Sequence, residues 1–226
     1  MDIAHRARKR TAQVGRVFLT VLAIAVQAAF FSGMPSYWRL QRTARSGGTR
    51  RARSAAEESL RARMGRITDA LPFTLSFEHM EDRCVRGSRI HLGLTPNREY
   101  ALIGRIWITA YFGTDLSIPE ALDAICEHVP ESRDAIHRYT DNPGRLRISP
   151  ISVAHGSDIQ EHLDWDTPGT YQVASEYPPP GSMTVRLRKS RNPGSMTLQQ
   201  ARHDFGTVIS WTVSSVYLRL SAKSGR

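Results

Sequence analysis

Cysteine is almost absent. Cys84 and Cys126 are the only two in 226 residues, too few for a disulfide-dense miniprotein or a zinc module built on four thiolates. Lysine is scarce as well, 3 against 28 arginines, a ratio that fits a GC-rich genome. The chain lacks a Walker A lysine loop, a Gly-x-Ser-x-Gly elbow, a His-Glu-x-x-His helix, a Cys-x-x-Cys pair and a dinucleotide-binding glycine fingerprint. Those absences close the commonest sequence routes to nucleotide, esterase, metalloprotease and redox chemistry. No segment repeats at a fixed period, which excludes a propeller or a solenoid.

Charge is present but lopsided. The formal net charge is +10, yet residues 1–66 hold 14 of the 31 basic and 3 of the 21 acidic side chains, so residues 67–226 are nearly neutral. The domain itself carries no field that would steer it to DNA or RNA, and no nucleic-acid partner is expected.

The longest apolar run is residues 17–34, eighteen positions without a charge. As a helix it spans about 27 Å, close to the hydrocarbon thickness of a bilayer. Arg16 precedes it, and Tyr37, Trp38 and Arg39 follow where interfacial aromatics and cations are expected. The run reads as a transmembrane anchor; the alternative is a signal peptide cleaved after Val26-Gln27-Ala28. Basic residues flank the run almost equally. The orientation adopted, N-terminus in the cytoplasm and domain outside, rests on the shortness of a tail of residues 1–16.

Residues 35–54 read as a solvated arginine-rich linker, able to adhere to anionic headgroups at about 1 kcal/mol per arginine. A domain is expected over 55–226, long enough for one real core. Leu60, Met64, Ile67 and Leu71 share a helical face, and Pro72 stops that helix. Phe73, Leu75 and Phe77 alternate as a half-buried strand running toward Cys84. In residues 100–112, Leu102, Ile106, Ile108 and Phe112 take one face of a strand and Ile103, Trp107 and Tyr111 the other. Ser117 and Glu120 frame a capping box that opens a helix with buried Leu122, Ile125 and Val129. Turn-rich sequence then separates strands over 145–153, 170–175, 183–189 and 207–220. The fold class is α+β: one N-terminal transmembrane helix, then a compact domain with a largely antiparallel sheet and two main helices.

Few residues suggest chemistry. Cys84 and Cys126 form a candidate disulfide, which in an oxidising compartment would close about 43 residues and contribute about 4 kcal/mol. His155, Asp158, Glu161, His162, Asp164 and Asp166 are the densest set of metal-ligand types. On a helix Asp158 and His162 would share a face, whereas on a strand Ile159, Leu163 and Trp165 point inward and Gln160, His162, Asp164 and Asp166 line a wet face that needs no metal. The strand is the expectation, and Glu161 fits its inward side poorly. Arg186, Arg188 and Lys189 read as a solvated strand face. Phe205, Trp211, Val213, Val216, Tyr217 and Leu218 read as core.

This layout of basic tail, apolar span, arginine-rich stalk, helix ending at Pro72 and Cys84-bearing strand resembles the uncharacterised membrane-anchored extracytoplasmic proteins of actinobacteria. The resemblance covers residues 1–129 and implies no activity and no functional residue. The expected role is a single-pass membrane protein whose small extracytoplasmic domain binds or scaffolds at the cell envelope, with the lipid bilayer and an envelope protein as partners. Catalytic residues, cofactors and metals are not expected. Two alternatives stand beside it: an envelope hydrolase with a divalent metal at the 155–166 cluster, and an inward-facing domain whose arginine stalk binds a polyanion.

Overall fold

A computed structural model describes residues 36–87, 100–140, 151–155, 159–166, 184–191 and 197–221, with backbone alone for 138–140 and 151–155. The apolar run 17–34, its flank Arg16, the candidate cleavage site, Asp158 and the strand expected over 170–175 lie outside the described residues.

Among the described residues six strands form one sheet: β1 (Thr74–Arg86), β2 (Tyr100–Thr114), β3 (Ile151–His155), β4 (Ile159–Trp165), β5 (Thr184–Arg191) and β6 (Thr207–Ser221). Their order is β3-β4-β6-β2-β1-β5, and every pairing is antiparallel. The α+β class with an antiparallel sheet is therefore the observed one. β2 is central because both its faces offer side chains to bury. Leu102, Ile106, Ile108, Ala110 and Phe112 point to one side, and Tyr111 to the other.

Among the described residues five α-helices pack with the sheet: α1 (Tyr37–Ala44), α2 (Gly47–Ala70), α3 (Ile118–His128), α4 (Arg133–Thr140) and α5 (Leu198–Asp204). The main core lies between one sheet face and α2 and α3. It joins Leu60, Met64 and Ile67 of α2 and Leu122, Ile125 and Val129 beside Ile106, Ile108, Phe112, Leu163, Trp165, Ile209 and Trp211. Glu120 caps α3 as its spacing predicts, accepting from the Ser117 amide at 2.9 Å and hydroxyl at 2.6 Å. On the opposite sheet face α5 covers one end, packing Leu198 and Ala201 against Phe77, Tyr111 and Val208. Phe77 and Tyr111 stack there with ring centroids 4.1 Å apart.

Two departures from expectation have clear causes. The stretch 36–54 is no extended linker: Ser36 caps α1, Ser46 caps α2, and helix runs through the arginines. Arginine is a good helix former, and Leu40 and Ala44, four residues apart, bury one face of α1. The domain accordingly reaches back to Ser36. The second departure is in β1, where a bulge between Leu75 and Phe77 breaks the alternation. Leu75 is left exposed, Phe77 turns to the α5 side, and Met80, Asp82 and Cys84 face the helices.

Candidate functional site

The side chains that set the chain's N-terminal end apart lie on α1. Leu40 and Ala44 join Cys84, Ala101, Leu102 and Val185 in a separate apolar cluster at the sheet end where β1 finishes and β2 begins. That contact holds α1 to the domain. Away from it, Tyr37 is 41% and Trp38 78% exposed, and an open depression of about 510 Å³ is lined by Ser36, Trp38, Arg39, Gln41, Arg42 and Arg45. Tyr37, Trp38 and Arg39, expected at a membrane interface, are thus displayed at the domain surface.

Behind α1 a buried polar network ties the helices to the sheet. Asp82, fully buried on β1, accepts a hydrogen bond from the Tyr217 hydroxyl at 2.5 Å, while Arg186 Nη1 lies 3.3 Å and Arg53 Nε 3.7 Å from its other oxygen. The Cys84 sulfur is 3.1 Å from the same Tyr217 oxygen. Tyrosine has one proton and gives it to Asp82, so the thiol is the donor in this second bond. Burial raises the pKa of Asp82, and the Tyr217 bond opposes that rise. Burial likewise raises Cys84 and, with its bonds to Asp82 and Cys84, Tyr217. A protonated, donating thiol is not a nucleophile. Further along α2, Arg188 reaches Glu57 at 3.3 Å, and Arg61 reaches Glu57 at 3.1 Å and Glu78 at 3.4 Å.

The basic residues of β5 divide: Arg188 and Lys189 are exposed, as on a solvated face, while Arg186 is half-buried. Register places Arg186 opposite Cys84 and Arg188 opposite Asp82, which turns both guanidinium groups toward the helix side and its carboxylates. Lys189 faces the other side, 3.6 Å from buried Glu81.

The two cysteines lie in different clusters, and both thiols are free. Cys84 is on β1, in register with Gly104 of β2, and Cys126 is on α3.

The 155–166 cluster is split by its backbone. β3 and β4 pair antiparallel, which places His162 on a strand. Ile159, Leu163 and Trp165 point to the core, while Gln160, His162 and Asp164 lie on the opposite face. Asp166 is held by Arg202 Nε at 2.7 Å and Nη2 at 3.2 Å. Glu161, the misfit of the sequence pattern, faces the core and is met there: Arg63 donates to its two oxygens at 2.8 and 3.2 Å, and Trp211 Nε1 donates at 3.2 Å. Arg63 lies 98 residues away in sequence, so no local pattern could have announced the pair. Among the described residues no three His, Cys, Asp or Glu side chains are grouped to hold a metal, and no helix is long and apolar enough to cross a membrane.

No family model, no curated protein and no solved structure matches the chain.

Proposed function

We propose that this is a single-pass membrane protein, anchored by residues 17–34, whose extracytoplasmic α+β domain serves as a binding or scaffolding module at the cell envelope. The observation that carries the reading is α1. The sequence just after the apolar run is a helix docked on the domain, with Tyr37 and Trp38 outermost, the residue types favoured at a bilayer surface. A second support is chemical. The buried carboxylates Asp82, Glu161 and Asp166 are engaged by arginines, and the Cys84 thiol is held protonated. Such groups serve structure in this domain.

The test is topological. Ser190 is exposed on β5, and the native thiols are buried, so Ser190→Cys gives a single accessible label. Intact cells treated with a membrane-impermeant maleimide should label this variant and leave the parent chain unlabelled. Labelling only after the cells are opened would refute the outward orientation and favour an inward-facing domain with a polyanion partner. Extraction of the chain by alkaline carbonate would refute the anchor.

A further inference from the structure

Resting on the anchored reading above, we infer that the outer face of α1 is a docking surface for anionic lipid headgroups of the bilayer the chain enters, so that the domain lies against the membrane. The argument begins with angle. At about 100° per residue, Trp38, Arg42 and Arg45 fall in one sector, turned 100° or more from both Leu40 and Ala44. Since Leu40 and Ala44 are buried against the sheet, the outer sector cannot turn inward without undoing that cluster.

The composition of the sector names its occupant. Trp38 is the most exposed large apolar side chain among the described residues. An indole is best accommodated where its ring meets apolar matter and its N–H meets water, the situation at a bilayer interface. Arg39, Arg42 and Arg45 have no ion pair among the described residues. Arg53, Arg61 and Arg63 of α2, by contrast, each have a carboxylate within 3.7 Å. Guanidinium groups bind phosphate through paired N–H donors, and the depression they line, about 510 Å³, has room for a headgroup.

Distance supplies the third step. The apolar run ends at residue 34 and α1 begins at Tyr37, so three peptide steps carry the chain at most about 11 Å from the hydrocarbon edge. A headgroup layer is itself about 5–8 Å thick on each side. The start of α1 is therefore confined to the headgroup region or its margin, with its arginines at the height of the phosphates.

The experiment uses the full chain in vesicles of phosphatidylcholine, with or without phosphatidylglycerol, and with brominated acyl chains as quencher. Emission lost in Trp38→Phe isolates Trp38 from the other three tryptophans. The expected result is strong quenching of that component in phosphatidylglycerol vesicles and weaker quenching in phosphatidylcholine alone. Arg42→Gln with Arg45→Gln should lose it, since each arginine near an anionic surface is worth about fivefold in the docking equilibrium. Both sites are exposed, and an unchanged melting curve confirms that the pair variant folds. Trp38 left unquenched in both vesicle types, or quenched equally in both, overturns the docking surface, provided the chain resists carbonate extraction. If carbonate removes the chain, the anchored reading falls first and takes the docking with it.

Discussion

Arg63→Leu is the substitution whose consequence the structure specifies most closely. The Glu161 side chain is 2% and the Arg63 side chain 11% exposed, and they share two hydrogen bonds at 2.8 and 3.2 Å. Leucine at 63 leaves a carboxylate inside the core with Trp211 Nε1 as its one remaining donor. Removing one member of a buried ion pair costs about 3–5 kcal/mol. In thermal unfolding of the full chain in detergent that is a fall of about 10 °C in Tm. Leucine at both 63 and 161 should cost well below the sum of the single changes, since neither charge is left behind. A fall of less than about 2 °C for Arg63→Leu at pH 7, or additive single and double variants, would refute the assignment of this pair as a core element.

Gly104→Ala puts a Cβ 2.8 Å from the Tyr217 ring and 3.0 Å from Leu218 Cβ; it should cost about 1–3 kcal/mol by overpacking and make the Cys84 thiol reactive toward a maleimide in the native state as Tyr217 is displaced. Gly113→Ala, whose Cβ would fall 2.0 Å from Phe205, should destabilise similarly and speed proteolysis in α5, read by mass spectrometry of the first fragments. His162 has its pKa lowered by burial and by Arg105, so the folded state resists its protonation. Stability should fall as pH drops below the ordinary histidine value toward the lowered one, and His162→Gln should flatten that part of a Tm-against-pH curve. Asp82 behaves in the opposite sense. Burial raises its folded pKa, stability attributable to it declines as pH rises from the ordinary carboxylate range through the raised value, and Asp82→Asn should remove that decline.

Elements whose pattern is local were readable in advance. β2, the Ser117 capping box of α3 and the Leu60, Met64 and Ile67 face of α2 each declare themselves within a dozen residues, and each sits where its periodicity puts it. α5 carried a readable signal that composition obscured: Thr197 and Gln200 form a capping box, with the Gln200 amide donating to Thr197 at 3.1 Å and the Thr197 amide donating to Gln200 at 2.7 Å. α1 was hidden because six arginines in a glycine- and serine-containing stretch look solvated, while the signal for burial is two small or apolar residues, Leu40 and Ala44, four apart. The partners of buried charges were beyond reach. Asp82 and Tyr217 are 135 residues apart, Arg63 and Glu161 are 98, and only sheet order in the first case and helix-on-sheet packing in the second bring them together. A charged residue at an inward strand position, such as Asp82 or Glu161, announces that a partner exists and gives no indication of which one.

That sheet order also decides how the N-terminal helices are coupled to the domain. Arg53, Glu57 and Arg61, spaced by four, form one stripe of α2, and the stripe meets Asp82, Arg188 and Glu78 at the β1 and β5 edge. Asp82 passes the contact to Tyr217 of β6, across β2, because Gly104 leaves room for the Tyr217 ring. A thrust on α1 is therefore resisted by three strands and by an apolar seat at Leu40 and Ala44, not by a loop. A domain tethered by a flexible stalk samples every orientation that its linker permits. Here the segment between residue 35 and the sheet is helix packed on strand, so any surface that the sheet or α5 offers a partner keeps a fixed direction relative to α1, and on the docking inferred above that direction is fixed relative to the membrane as well.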